Sequence, residues 1–149
     1  ALDLLPAGVR DGLHIAGRLD RDTTGLLLLT TDGQWSHRIT SPRAECAKTY
    51  RVGLSEPITR EAVALLERGV RLKDDPAPTR PAGVTSIDEQ TIELTISEGR
   101  YHQIKRMMAA VGNHVDSLHR LRVGAILLDG SLAPGDFRAL TLDEISSVE

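Results

Sequence analysis

The sequence predicts an α+β domain in which helices flank a mixed, largely antiparallel sheet. Strand-like stretches ("LLLLT", "KTYRVGL", "QTIELTISE") are interspersed with helical ones ("ITREAVALLERG", "YHQIKRMMAAVG"), without the regular alternation of a parallel βαβ fold. At 149 residues the chain can bury a core without disulfide staples, and its single cysteine, Cys46, has no partner within the chain. No apolar run approaches the ~20 residues of a membrane span and no secretory leader is visible, so a soluble cytoplasmic protein is expected. The chain opens on Ala1 rather than methionine, and "ALDLLPAGVRDG" has weak periodicity, which reads as the interior of a longer chain.

Leu26 to Thr30 is a short apolar run bounded by Gly25 and "TDG", the pattern of a strand buried on both faces. Asp32 is placed to N-cap a helix through "GQWSHRIT", which must stop ahead of Pro42 because the residue before proline avoids the helical region. "KTYRVGL" reads as a strand. Thr59 can cap the next helix, which carries Val63, Leu66 and Val70 at helical spacing and ends near Gly69. "QTIELTISE" alternates Ile92, Leu94 and Ile96 with polar residues, as in a half-buried strand. In "YHQIKRMMAAVG", Ile104, Met107, Met108 and Val111 share a helical face and Gly112 ends it. Lys105 then flanks the apolar stripe while Arg106 points nearly opposite, so the two are expected to do different work. "HVDSLHRLRVG" and "AILLD" read as further strands, and Thr141 and Glu144 have the spacing of a capping box.

The net charge of −3 argues against a protein that grips nucleic acid by bulk positive charge. Its distribution is uneven: from Arg100 to Gly124 there are five Lys or Arg and three His against one acid, Asp116. One face can therefore be basic, although a plain solvated surface explains the same composition. His102, His114 and His119 lack a second ligand at metal spacing, so no metal is expected. Neither a glycine-rich phosphate cradle nor a G-x-S-x-G elbow occurs.

What remains is an acid without an evident structural purpose. In "GRLDRDTTGLLLLTTDG", Asp20 lies between Arg18 and Arg21 and precedes leucines that must be buried, so a charge is held at the edge of a core. The aromatics are few. Tyr50, in a strand, reads either as a half-buried strand tyrosine or as a stacking platform for a base. Trp35 and Phe137 are expected as core fillers, and Tyr101 opens the basic helix.

Together, "AGRLDRDTTGLLLLTTDG", "KTYRV", "ISEGRYHQIKRMMAAVGNHVDSLHRLRVG" and "LAPGDFRALT" closely resemble the RsuA family of pseudouridine synthases, in the family's order from about Leu13 to the C-terminus. The resemblance implies an isomerase that breaks the N-glycosidic bond of a uridine in RNA, turns the uracil and rejoins it through carbon, without cofactor or metal. It implies a catalytic domain over residues 1–149 with a central cleft, lacking the family's S4-like RNA-binding domain and first catalytic strand. By motif, Asp20 of "GRLD" is the catalytic carboxylate, Tyr50 of "KTY" the active-site aromatic, and Lys105 after "HQI" the partner of the aspartate. Arg18 lies where the family contacts RNA, and Arg100, His102, Arg106, Arg120 and Arg122 are expected as further RNA contacts. "YHQIKRMMAAVGNHV" is similar to the small-subunit members, implying a monomer acting on 16S rRNA within a partly assembled small subunit.

The residue types suit that chemistry. An ionised carboxylate can attack C6 of the base or C1′ of the ribose, and an adjacent ammonium would keep it ionised. A tyrosine can stack on the uracil, and its hydroxyl can assist removal of the C5 proton. A non-catalytic RNA-binding module of ribosome assembly would explain the basic segment but not Asp20. A synthase acting on 23S rRNA stays open. A glycosidase-like hydrolase would want a second carboxylate, and Glu98, the nearest by type, reads as a charge at a strand end before Gly99.

Overall fold

A computed structural model describes residues 2–41 and 44–148. A 3-10 turn (Leu2–Leu4) and α1 (Ala7–Arg10) lead into β1 (His14–Ala16), β2 (Thr24–Gly25) and β3 (Leu28–Thr30). There follow α2 (Gly33–Thr40), β4 (Lys48–Leu54), α3 (Arg60–Arg68), β5 (Gly83–Asp88) and β6 (Thr91–Ile96). The chain continues through α4 (Gln103–Ala110), β7 (Val115–Val123), β8 (Ile126–Leu127) and α5 (Leu142–Ser146). Among the described residues no helix is long and apolar enough to cross a membrane.

The main sheet runs β2-β7-β4-β6-β5, with β8 also on β7; only the β2–β7 pairing is parallel. β4 is central because its alternation supplies one apolar face. Val52 and Leu54 point the same way as Ile92, Leu94 and Ile96 of β6 and Leu118 of β7, and Leu66 of α3 with Ile104, Met107 and Met108 of α4 closes the core over them. The opposite face is polar: Thr49 bonds Thr95 across β4 and β6, and Arg51 pairs with Glu93. A second core joins Ala16, Leu28, Trp35, Ile39, Val123 and Ile126 around β1, β3 and α2.

The local signals act as their chemistry requires. The Asp32 carboxylate accepts from the backbone N–H of Gln34 and Trp35, and Thr59 accepts from Ala62 N. Pro42, the expected stop for α2, lies outside the described residues, and the helix is capped at Ser41. Two expectations change. The "LLLLT" strand covers only Leu28–Thr30, with Leu26 and Leu28 buried and Leu27 and Leu29 half-buried, because one face looks toward an open apolar groove. Phe137 lines that groove and is 49% exposed rather than filling a core, whereas Trp35 is buried as expected.

Gly25 joins the leucine-rich loop to the sheet. Its φ is +113°, and a Cβ there would overlap the backbone nitrogen and carbonyl of Arg120, so the chain passes β7 closer than any side chain allows. Gly25→Ala is expected to cost about 2 kcal/mol or more, read as a lowered urea midpoint; an unchanged midpoint would show that β2 relaxes freely away from β7.

The last helix is clamped by charge. Arg138 donates from both terminal nitrogens to Glu144 at 2.8 Å, and Thr141 N–H adds a bond of 2.9 Å, holding the Glu144 carboxyl well below its usual value, to about 2. Trp35 Nε1 donates to Ile145 O at 3.0 Å, so the chain's one tryptophan reports on α5. A depressed carboxyl stabilises the fold fully above the unfolded glutamate pKa and loses that contribution as pH falls toward the folded one. Trp35 emission should therefore shift as pH is lowered from the ordinary glutamate range to about 2, and Glu144→Gln should show the shifted emission already at neutral pH. Identical acid titrations for the two proteins would exclude the clamp.

Candidate active site

Tyr50 and Arg120 are direct cross-strand partners on β4 and β7, and so share the face of the sheet that also carries Val52 and Leu118. Tyr50 is half-buried against the core. Arg120 is 1% exposed, an unusual burial for a guanidinium. Its Nε donates to Leu26 O at 2.8 Å and its Nη1 reaches Arg18 O at 3.5 Å, while Leu26 N donates back to Arg120 O at 2.8 Å. One side chain thus pins both ends of the segment 18–26 to the sheet beside Tyr50.

Asp20 lies inside that pinned segment. Its carbonyl accepts from Thr23 N at 2.9 Å, closing a tight turn, and the residue is half-buried. Among the described residues its carboxylate makes no ion pair, and Arg120 Nη2, although buried, has no hydrogen-bond partner. The segment therefore holds a carboxylate without an ion pair and is pinned by a buried guanidinium with one nitrogen unsatisfied, an arrangement that costs stability.

Lys105 does not pair with Asp20, contrary to expectation. Its Nζ donates to both carboxylate oxygens of Asp22, at 2.8 and 2.7 Å, because the Asp20–Thr23 turn presents residue 22 to α4. That bond, helped by the charges of Lys105 and His102, holds the Asp22 carboxyl below the usual aspartate range. Lys48, two residues before Tyr50, was missed by sequence reading. Burial pushes its ammonium pKa down and the nearby Arg120 adds to the effect, while Nζ donates to Cys46 O at 3.2 Å.

Several expected RNA contacts are occupied within the protein. Arg120 is buried under the 18–26 segment. Arg100 donates to Ala77 O and Pro78 O, each at 2.7 Å, and pairs with Asp75 and Glu98, tying the 75–78 turn to the start of α4. Arg106 does not point freely outward: it donates to Tyr101 O and Lys73 O, both at 3.0 Å, because that turn folds back over the helix. Arg122 is exposed but pairs in register with Thr49, on the sheet face away from Tyr50, and donates Nε to Gly124 O at 2.7 Å. Arg18 is exposed at the pinned segment, and His102 stacks with Tyr101 at the start of α4. Glu98 is a structural node, accepting from Arg80 N, Gln103 Nε2 and Arg100 Nε. Among the described residues no three His, Cys, Asp or Glu side chains are grouped to hold a metal.

This α+β sheet domain belongs to the RNA pseudouridylate synthase family, whose model matches residues 2–110. It is similar to ribosomal small subunit pseudouridine synthase A of Escherichia coli (strain K12), with 58% identity over 136 residues, 91% of this chain and 59% of that protein. Its similarity to the protein of the same name from Vibrio vulnificus (strain CMCP6) is 55% over 150 residues, 99% of this chain and 64% of that one. A crystal structure of a pseudouridylate synthase superposes with a TM-score of 0.97 at 49% identity, covering 99% of this chain and 64% of the other. The chain thus spans 59 to 64% of the length of these curated relatives.

In Lys105→Ala the Asp22 carboxyl should titrate at higher pH than in the parent, toward the ordinary aspartate value, as followed by its carboxyl carbon NMR shift. A midpoint that stays put would mean that Lys105 is not what depresses it.

Proposed function

We propose that this chain carries the catalytic centre for isomerising a uridine to pseudouridine in ribosomal RNA, with Asp20 as the nucleophile. The observation that carries the reading is the half-buried, uncommitted Asp20 carboxylate on a segment pinned by Arg120 beside Tyr50. The relatives' names support small-subunit ribosomal RNA as substrate; we extend this to 16S rRNA within a partly assembled subunit in the cytoplasm, and to a monomer working without a cofactor.

In this mechanism the uridine is extruded from its stack so that its base lies against Tyr50. Asp20 attacks at C1′ or C6, and the bond between N1 and C1′ breaks. The uracil turns, C5 bonds to C1′ as the carboxylate is released, the C5 proton leaves to a base that the Tyr50 hydroxyl can assist, and N1 takes up a proton in its place. Reactant and product are isomers, so no co-reactant is consumed. Arg120 supplies a fixed positive charge close to the segment that carries the anion, in place of the Lys105 partner expected from motif alone. Lys105 acts one step removed, holding the Asp22 side of the turn so that Asp20 keeps its position. The exposed Arg18 meets RNA backbone at the mouth of the cleft.

Asp20→Asn keeps the size of the side chain and removes its anionic oxygen. In the full-length protein this change should lower pseudouridine formation by at least ~1,000-fold while RNA affinity at fixed salt changes little. Turnover is read as tritium release from C5-labelled uridine, in both a 16S transcript and a partly assembled small-subunit particle. Near-normal release by the variant would remove Asp20 from the nucleophile's role. Pseudouridine in neither substrate with the parent protein would favour a binding module.

A further inference from the structure

Tyr101 is 78% exposed, so its ring contributes little to the core, yet it is not loosely placed. It stacks on the His102 imidazole with ring centroids 3.9 Å apart and planes inclined by 22°. His102 holds φ 46° and ψ 40°, a left-handed conformation that a non-glycine residue keeps only where its surroundings fix it. The surroundings do so from both sides. Arg106 donates Nη1 to Tyr101 O at 3.0 Å and its backbone N–H to His102 O at 3.1 Å. Before the pair, Arg100 N donates to the buried Gln103 side chain at 2.9 Å. The result is an aromatic plate with one face covered by His102 and the other open.

Its position narrows what that open face can take. Lys105, three residues after His102, binds both carboxylate oxygens of Asp22, so the start of α4 that carries the plate lies within one helical turn of the contact to the turn that presents Asp20. Cations with fixed positions stand next to it: Arg106 bonds Tyr101 O and Lys105 lies one turn along α4, while the segment carrying Asp20 exposes Arg18 and Arg21. A fixed, open aromatic face beside cations matches the face of a nucleobase joined to a phosphate backbone.

We propose that Tyr101 is a substrate-positioning residue whose open ring face stacks on a base flanking the reacting uridine. This rests on the pseudouridine synthase reading above. Extruding one nucleotide leaves its neighbour unstacked, and the plate replaces the lost stacking partner, so part of the sequence preference of the enzyme resides in which base sits there.

The test uses full-length parent, Tyr101→Phe and Tyr101→Ala proteins on 16S-derived RNA whose modified uridine has first been mapped. Tyr101→Ala should raise KM roughly 5- to 100-fold with kcat little changed, the range expected for loss of one stacked base. Tyr101→Phe should behave like the parent. Abasic nucleotides placed on either side of the target should weaken the parent at one position and add little to the Tyr101→Ala defect there, the coupling of a direct contact. Equal KM values for parent and Tyr101→Ala, a Phe variant as poor as Ala, or additive abasic penalties on both sides would each overturn the proposal while leaving the synthase reading intact. A Tyr101→Ala defect confined to the particle, with naked RNA bound equally, would assign the plate to a protein contact and also overturn it. Absence of pseudouridine with the parent would overturn both.

Discussion

The site depends on one buried guanidinium. Arg120 enters the fold from the middle of β7 and bonds the carbonyls of Leu26 and Arg18, so two points on a segment that would otherwise be an open loop are fixed to the strand beside β4. Burying a guanidinium is expensive, and two carbonyl bonds return only part of that cost. Among the described residues the remaining Nη2 hydrogens have no partner, and Thr23 Oγ1 in the same segment is likewise buried without one. A core built only for stability would place leucine at position 120, as it does at 118. Retaining arginine keeps a fixed charge where Asp20 is held, and Gly25 lets the segment approach closely enough for the bonds to form.

Most of the fold was legible because its signals are local. The Asp32 and Thr59 caps, the alternation of β6 and the capping box at Thr141 each state their element within four to eight residues. The leucine run was read less well. Four leucines in a row carry no periodicity, and only tertiary contacts decide that Leu26 and Leu28 face inward while their neighbours meet a groove. Phe137 failed for the same reason: an aromatic is a good core candidate until the partner surface is known.

The candidate site's residues could be nominated from the sequence, but their pairings could not. Asp20 and Tyr50 stood out by motif, and the sheet register gives Tyr50 a neighbour, Arg120, that had been assigned to RNA. A signal was present: in "LHRLRV" Leu118 and Arg120 are two apart on a strand, so the arginine shares the leucine's buried face. Lys105 was assigned to Asp20 by motif, and neither a motif nor helix spacing says which of two nearby acids a side chain meets. The Asp20–Thr23 turn decides that, and it presents Asp22.

The same accounting changes what the basic segment means. Five cations between Arg100 and Gly124 suggested an RNA-binding face. Arg100 and Arg106 instead fasten the 73–78 turn to α4, Arg120 is buried, and Lys105 is bound to Asp22. Cations spent on internal carbonyls and carboxylates add rigidity but release few counterions on binding RNA. A net charge of −3 is therefore compatible with the proposed function, in which this part of the molecule holds one nucleotide and its neighbour rather than gripping a long backbone. In that proposal shape and stacking do the work: a pinned carboxylate, a strand tyrosine and an aromatic plate fixed by the Arg106 guanidinium, which had been expected to meet RNA.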